Sequence, residues 1–121
     1  MKNICTIMTA PDPKLHCYCL RGDFRLTKYF FKYLGWDSEY GVSSSLTCRD
    51  CGRRWLRYYY CDEAFSKSGR WFCGLLEYFL SERVSADNAK HILETMDWYY
   101  RGGSFYSGLV SKQSGKINLM P

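Results

Sequence analysis

Thr47-Cys48-Arg49-Asp50-Cys51-Gly52-Arg53-Arg54-Trp55 is the stretch on which the fold of this chain turns. Two cysteines stand three apart, a glycine follows the second, and a tryptophan lies three beyond it. This is the pattern of a zinc knuckle, a tight turn that points two sulfurs at one spot. Gly52 can take the positive φ such a turn needs, which a residue with a Cβ resists. Trp55 opens an aromatic run that can pack beside the site. A structural zinc takes four ligands, and the turn supplies two. The other two are expected from His16-Cys17-Tyr18-Cys19. Cys17, Cys19, Cys48 and Cys51 are therefore read as a four-cysteine site that closes a loop of about thirty residues. His16 stands next to it as an alternative ligand. Four soft thiolates suit Zn2+ better than Mg2+ or Ca2+, which prefer oxygen. A thioredoxin-like redox pair would need Cys48-x-x-Cys51 at the start of a helix, and a β-rich run follows instead.

Size and composition bound the rest. At 121 residues the chain is read as a single domain, 1–121. It is 46% hydrophobic and 18% aromatic, enough for a core and against global disorder. Tyrosine is unusually common, at 11. Tyr and Trp suit half-buried positions, because each has an apolar body and a polar tip. The formal charge is +5. Four thiolates with one Zn2+ carry two negative charges between them, which leaves about +3. That is mildly basic, without the dense Lys/Arg blocks of a dedicated nucleic-acid binder. The apolar stretch in residues 1–10 is short and broken by Asn3 and Thr6, so no export signal is read. No apolar run reaches the ~20 residues that span a bilayer. Seven cysteines, an odd number, fit reduced thiols with some holding metal better than a disulfide framework. The expectation is a soluble cytoplasmic protein.

Along the chain, a short strand is expected through Ile4, Thr6 and Met8, then a turn at Pro11-Asp12-Pro13. Residues 23–35 mix helical and alternating spacing, and their aromatics lean to strand. Residues 37–45 read as a polar surface loop with Ser43, Ser44 and Ser45. Residues 55–60 and 70–79 read as the two strands of a hairpin. Cys61 and Cys73, in or beside them, read as packing residues. A helix is predicted over 86–100, N-capped by Ser85 and stopped by Gly102 and Gly103. Its apolar face would be Ala89, Ile92, Leu93, Met96, Tyr99 and Tyr100. A last strand is expected over 104–110. The fold class that follows is α+β: a small antiparallel sheet with the ribbon-like zinc site at one end and one main helix packed on a face.

Catalysis is not expected. A zinc held by four sulfurs has no open position for water. His91 reads as a partly exposed helix residue rather than a base. No Ser/His/Asp order, phosphate loop or carboxylate pair stands out. A binding surface is better supported. Arg53, Arg57 and Arg70 interleave with Tyr59 and Trp71, and these five are the expected partner-contact residues. Such groups suit an acidic protein partner. They equally suit nucleic acid, where cations meet phosphates and rings stack on bases.

Four strings add a resemblance. They are Cys17-Tyr18-Cys19, Leu46 to Leu56 with its CxxCGxxW core, Phe65-Ser66-Lys67-Ser68-Gly69-Arg70-Trp71-Phe72, and Asp97 to Tyr106. Together they resemble small bacterial zinc-ribbon-like proteins, some of which look like immunity proteins for secreted or contact-delivered toxins. The resemblance implies a cytoplasmic, non-catalytic protein that binds and blocks one cognate toxin. It carries over no catalytic residue. Immunity proteins against nucleases are often acidic and this chain is basic, which points to an acidic or non-nuclease toxin. A nucleic-acid-binding zinc-ribbon regulator is the alternative.

Overall fold

The fold is seen in a computed structural model that describes residues 17–38, 41–62, 64 and 66–117. Six strands form one antiparallel sheet in chain order. They are β1 (Tyr29–Trp36), β2 (Val42–Cys48), β3 (Arg54–Tyr60), β4 (Arg70–Leu75), β5 (Trp98–Gly102) and β6 (Ser111–Ser114). Every strand pairs with the one before it, so the sheet is a meander. Between β4 and β5 lie two short helical pieces, α1 (Tyr78–Ser81) and α2 (Ala89–Glu94). Single 3-10 turns at Tyr18–Arg21 and Leu26–Lys28 lead into β1, and a third at Ser104–Tyr106 lies before β6.

Strand residues alternate between the two faces of a sheet. Here both faces are covered, so consecutive residues of β3 are both buried: Trp55 and Leu56 each have 0% exposure, on opposite faces. One face carries Leu56, Tyr58, Phe72 and Tyr99, and packs against Ala89, Ile92 and Leu93 of α2. The other carries Tyr29, Leu46, Trp55, Cys73 and Tyr100, and packs against Cys17, Cys19, Leu20 and Phe24 of the segment before β1. Burial on both sides is why β3 and β4 read as nearly unbroken aromatic and apolar runs.

Three expectations are corrected. The fold is not α+β with a main helix on the sheet, for six antiparallel strands dominate and the helix expected over 86–100 is six residues long. Asn88 shapes its entry, accepting from the Ser85 N–H at 2.8 Å and donating to the Arg83 carbonyl at 2.7 Å. Thr95 ends it, its hydroxyl bonded to the Ile92 carbonyl at 2.6 Å. Trp98, Tyr99 and Tyr100 then form β5 between β4 and β6. Their β-propensity and two ready strand partners outweigh the helical spacing. Tyr99 and Tyr100, assigned to one helix face, lie on opposite faces of the sheet.

The polar loop expected at 37–45 is largely β2, with Ser43, Ser44 and Ser45 buried. Small side chains there leave room for the long ones of β1 and β3. The turn before β2 is closed by Asp37, which accepts from the Gly41 N–H at 2.8 Å and the Tyr58 hydroxyl at 2.5 Å. Finally, the strand expected over 104–110 begins only at Ser111. The strand expected through Ile4–Met8, the turn at Pro11–Pro13, Cys5 and His16 lie outside the described residues.

Leu93, fully buried against β3 and β4, is the test of how α2 is held. Leu93→Ala should destabilise the chain by about 3 kcal/mol in urea titration, while His91→Ala, on the exposed side of α2, should stay within about 0.5 kcal/mol.

Candidate metal centre

The β2–β3 turn builds half of the site. Cys48 ends β2, and its N–H donates to the Arg53 carbonyl at 2.8 Å while Gly52 N–H returns to the Cys48 carbonyl at 3.0 Å. Gly52 sits at φ 79°, the left-handed conformation that glycine adopts without a steric penalty. The backbone N–H groups of Asp50 and Cys51 turn onto the Cys48 sulfur. Cys17 and Cys19 build the other half. The Leu20 N–H bonds the Cys17 carbonyl at 3.0 Å, and the Cys19 amide turns back onto the Cys17 sulfur.

Hydroxyls rising from the sheet hold this second half down. Tyr100 donates to the Leu20 carbonyl at 2.7 Å, and Tyr29 donates to the Asp23 carbonyl. Phe24 then packs among Trp55, Trp71, Tyr100 and Tyr29, with ring centroids 4.9, 5.8, 5.5 and 5.9 Å away.

The result is four sulfurs, those of Cys17, Cys19, Cys48 and Cys51, all within 4.8 Å of one another. Cys17 to Cys48 and Cys19 to Cys51 are each 3.5 Å. Sulfurs placed tetrahedrally about 2.3 Å from a zinc would be about 3.8 Å apart, so the cluster has the dimensions of a tetrahedral metal site. A group of this kind can hold a metal ion.

The surroundings fit that use. Trp55 Nε1–H is buried and makes no ordinary hydrogen bond. It lies by the Cys19 sulfur and favours its ionised form, a role that a thiolate satisfies and a thiol does not. The Arg53 guanidinium bonds the Cys51 sulfur, and that bond raises the pKa of the guanidinium. Tyr18 Oη lies 3.3 Å from Cys48 Sγ and 3.0 Å from the Lys28 carbonyl, so its one proton serves either the sulfur or the carbonyl. Burial pushes the Cys48 thiol up, but the Tyr18 hydroxyl and the Cys51 and Asp50 amides outweigh it and bring the pKa down to about 7. Burial pushes Cys17 and Cys19 up, with the neighbouring sulfurs adding to it. A divalent cation among the four would remove that obstacle by stabilising every thiolate.

The five expected partner-contact residues do not form one surface. Arg53 belongs to the cysteine cluster. Arg57, Tyr59 and Trp71 share the face that carries the cysteine cluster, with Arg57 over the Tyr59 ring at 5.4 Å and Tyr59 opposite Trp71. Arg70 pairs with Tyr60 and lies over the Tyr60 and Phe105 rings at 5.3 and 4.0 Å, out of register with the other three. Cys73 is buried on the same face as the cysteine cluster, and Cys61 is half-buried with its sulfur 3.3 Å from Ser68 Oγ. Tyr18, Phe24, Tyr29 and Tyr100 escaped the sequence reading as supports. Only Tyr18, between the two cysteines, carried a positional signal.

No family model matches the chain, and no curated protein or solved structure matches it either. Among the described residues no helix is long and apolar enough to cross a membrane.

Tyr18→Phe removes the hydroxyl beside Cys48 and leaves the ring. The variant should keep its fold by far-UV circular dichroism and bind zinc about tenfold more weakly in a chelator competition.

Proposed function

We propose that this protein is a non-catalytic binding module stabilised by a structural zinc ion on Cys17, Cys19, Cys48 and Cys51. The observation that carries the reading is the four sulfurs within 4.8 Å of one another, joining two segments thirty residues apart. A set of four thiolates favours zinc among common divalent cations and leaves no coordination position for a reacting water. The metal would then supply folding energy rather than chemistry.

The partner we favour is a protein, of the kind that an immunity protein neutralises. What supports a protein partner is the edge strand β1, where Phe30, Phe31, Tyr33 and Trp36 are all exposed. Aromatic side chains gathered on one exposed strand mark a surface for association more than one for solvent. The immunity role itself rests on the resemblance carried by the cysteine and aromatic strings.

Nucleic acid is the second reading. Arg49 lies over the exposed Phe30 ring at 4.3 Å and Lys28 over Tyr18 at 4.8 Å, pairs that can meet a phosphate and a base together. A steep loss of binding to generic single-stranded DNA or RNA with rising salt would favour it. Restored growth on co-expression with a neighbouring toxin gene would favour the first reading.

Elemental analysis should find one zinc per chain of freshly purified protein. Cys48→Ser and Cys51→Ser should lose it and fall in stability by several kcal/mol, and a strong chelator should do the same to the unaltered chain. Metal-free protein with every thiol reactive and unchanged stability would end the reading.

A further inference from the structure

The cysteine-bearing face holds a second polar group that the cysteine cluster does not use. One row of cross-strand neighbours runs Tyr33, Ser44, Arg57, Cys73 and Tyr100 over β1 to β5. Arg57 is half-buried in the middle of this row. Its guanidinium lies over the Tyr59 ring and makes no hydrogen bond or ion pair to any described residue. Burial works against its charge. The nearby Cys73 thiol is fully buried, and burial pushes its pKa up, so it stays neutral and gives Arg57 no counter-ion. Directly opposite Arg57 on β2 is Ser44, 1% exposed, whose Oγ has no hydrogen-bond partner. A cation without an anion and a hydroxyl without a partner are each costly when withdrawn from water. Here they stand side by side on adjacent strands.

We propose that Arg57 and Ser44 form a binding site for a carboxylate. The guanidinium offers a planar fork of donors that matches both oxygens of a carboxylate, and the Ser44 hydroxyl can donate to one of them. The charge count selects a monoanion over a phosphate dianion. The next cation in the row, Lys112 on β6, is three strands or about 14 Å from Arg57 and lies over the Trp98 ring. Rings flank the position: buried Trp55 to one side along β3, Tyr59 to the other. Tyr33 and Trp36 at the β1 edge are 53% and 60% exposed. The ligand would therefore approach from the β1 side with an apolar or aromatic part lying on those rings. Two sources present this chemistry, a free aromatic carboxylate and an acidic side chain of a protein partner. The second of these rests on the binding-module reading above.

Nitrogen-edited NMR of the Arg57 Nε–Hε group in the full chain tests the site. The probes are benzoate, N-acetyl-glutamate methylamide and inorganic phosphate. A saturable shift with the carboxylates is expected. Arg57→Lys, which keeps the charge but loses the fork, should weaken carboxylate binding about tenfold. The effect of Ser44→Ala should be a loss of several-fold with no loss of stability, since it removes an unpartnered group. Tighter binding of benzoate assigns the site to a free aromatic carboxylate, and equal or tighter binding of the blocked glutamate assigns it to a partner's side chain.

The proposal is overturned if no probe saturates up to its solubility limit, or if phosphate binds more tightly than both carboxylates. It is also overturned if carboxylate affinity is unchanged in Ser44→Ala and in whichever Arg57 variant folds. A chain that holds zinc but ignores carboxylates overturns this site alone. One that binds carboxylates through Arg57 but holds no metal overturns the zinc reading alone.

Discussion

The contact among four cysteine sulfurs is the constraint on which the cysteine-bearing half of the structure depends. Cys17 and Cys19 lie in a segment with little regular structure, a single 3-10 turn. Such a segment has few backbone hydrogen bonds of its own to fix it in place. Its anchors are the sulfurs at one end, the hydroxyls of Tyr29 and Tyr100 under its carbonyls, and the ring of Phe24 among four others. Without the sulfurs drawn together, the aromatic face of the sheet would have no lid. Three buried thiols and a half-buried one, all within 4.8 Å of one another, are a poor way to use cysteine for packing alone. The same four as thiolates around a cation, with Trp55 N–H, Arg53 and Tyr18 aimed at them, form a self-consistent polar cluster.

The two faces of the sheet solve the same burial problem by different means. The α2 face is sealed by aliphatic packing of Ala89, Ile92 and Leu93. The cysteine-bearing face is sealed by rings and sulfur, and both faces bury polar atoms that have no partner. Trp55 Nε1 and Ser44 Oγ lie on the cysteine-bearing face, while Ser43 Oγ and Arg101 Nε, on residues paired with Tyr58 and Phe72, lie on the α2 face.

Much of the site was legible because metal ligation is local in chemistry even when it is distant in sequence. Cys48 and Cys51 announce each other by spacing, and the soft ligand type picks out Cys17 and Cys19 as partners. The hairpin of β3 and β4 was legible too, from its density of β-formers. The rest failed for one reason: the sheet is covered on both faces. Alternation, the usual signature of a strand, is lost when both faces are buried. Trp98 to Tyr100 then fell into a helical periodicity begun by α2, and the buried serines of β2 looked like surface. Their burial depends on the size of their neighbours on β1 and β3, which no local pattern records. The separation of Arg53 at the sulfur cluster and Arg57 in one row of the sheet from Arg70, which opens β4 opposite Tyr60, was likewise set by strand register.

The meander has a consequence for the order of events in folding. Each strand pairs with its sequence neighbour, so the sheet can form by successive hairpins with short loops to close, a route with a low entropic barrier. The turn of the β2–β3 hairpin is the knuckle itself. Two of the four sulfurs are thus brought together as soon as that hairpin forms, while the other two must arrive across a loop of about thirty residues. The hairpin presents two sulfurs before the other two arrive, and on the zinc reading proposed above an ion captured there would draw the lid down onto a sheet already in place.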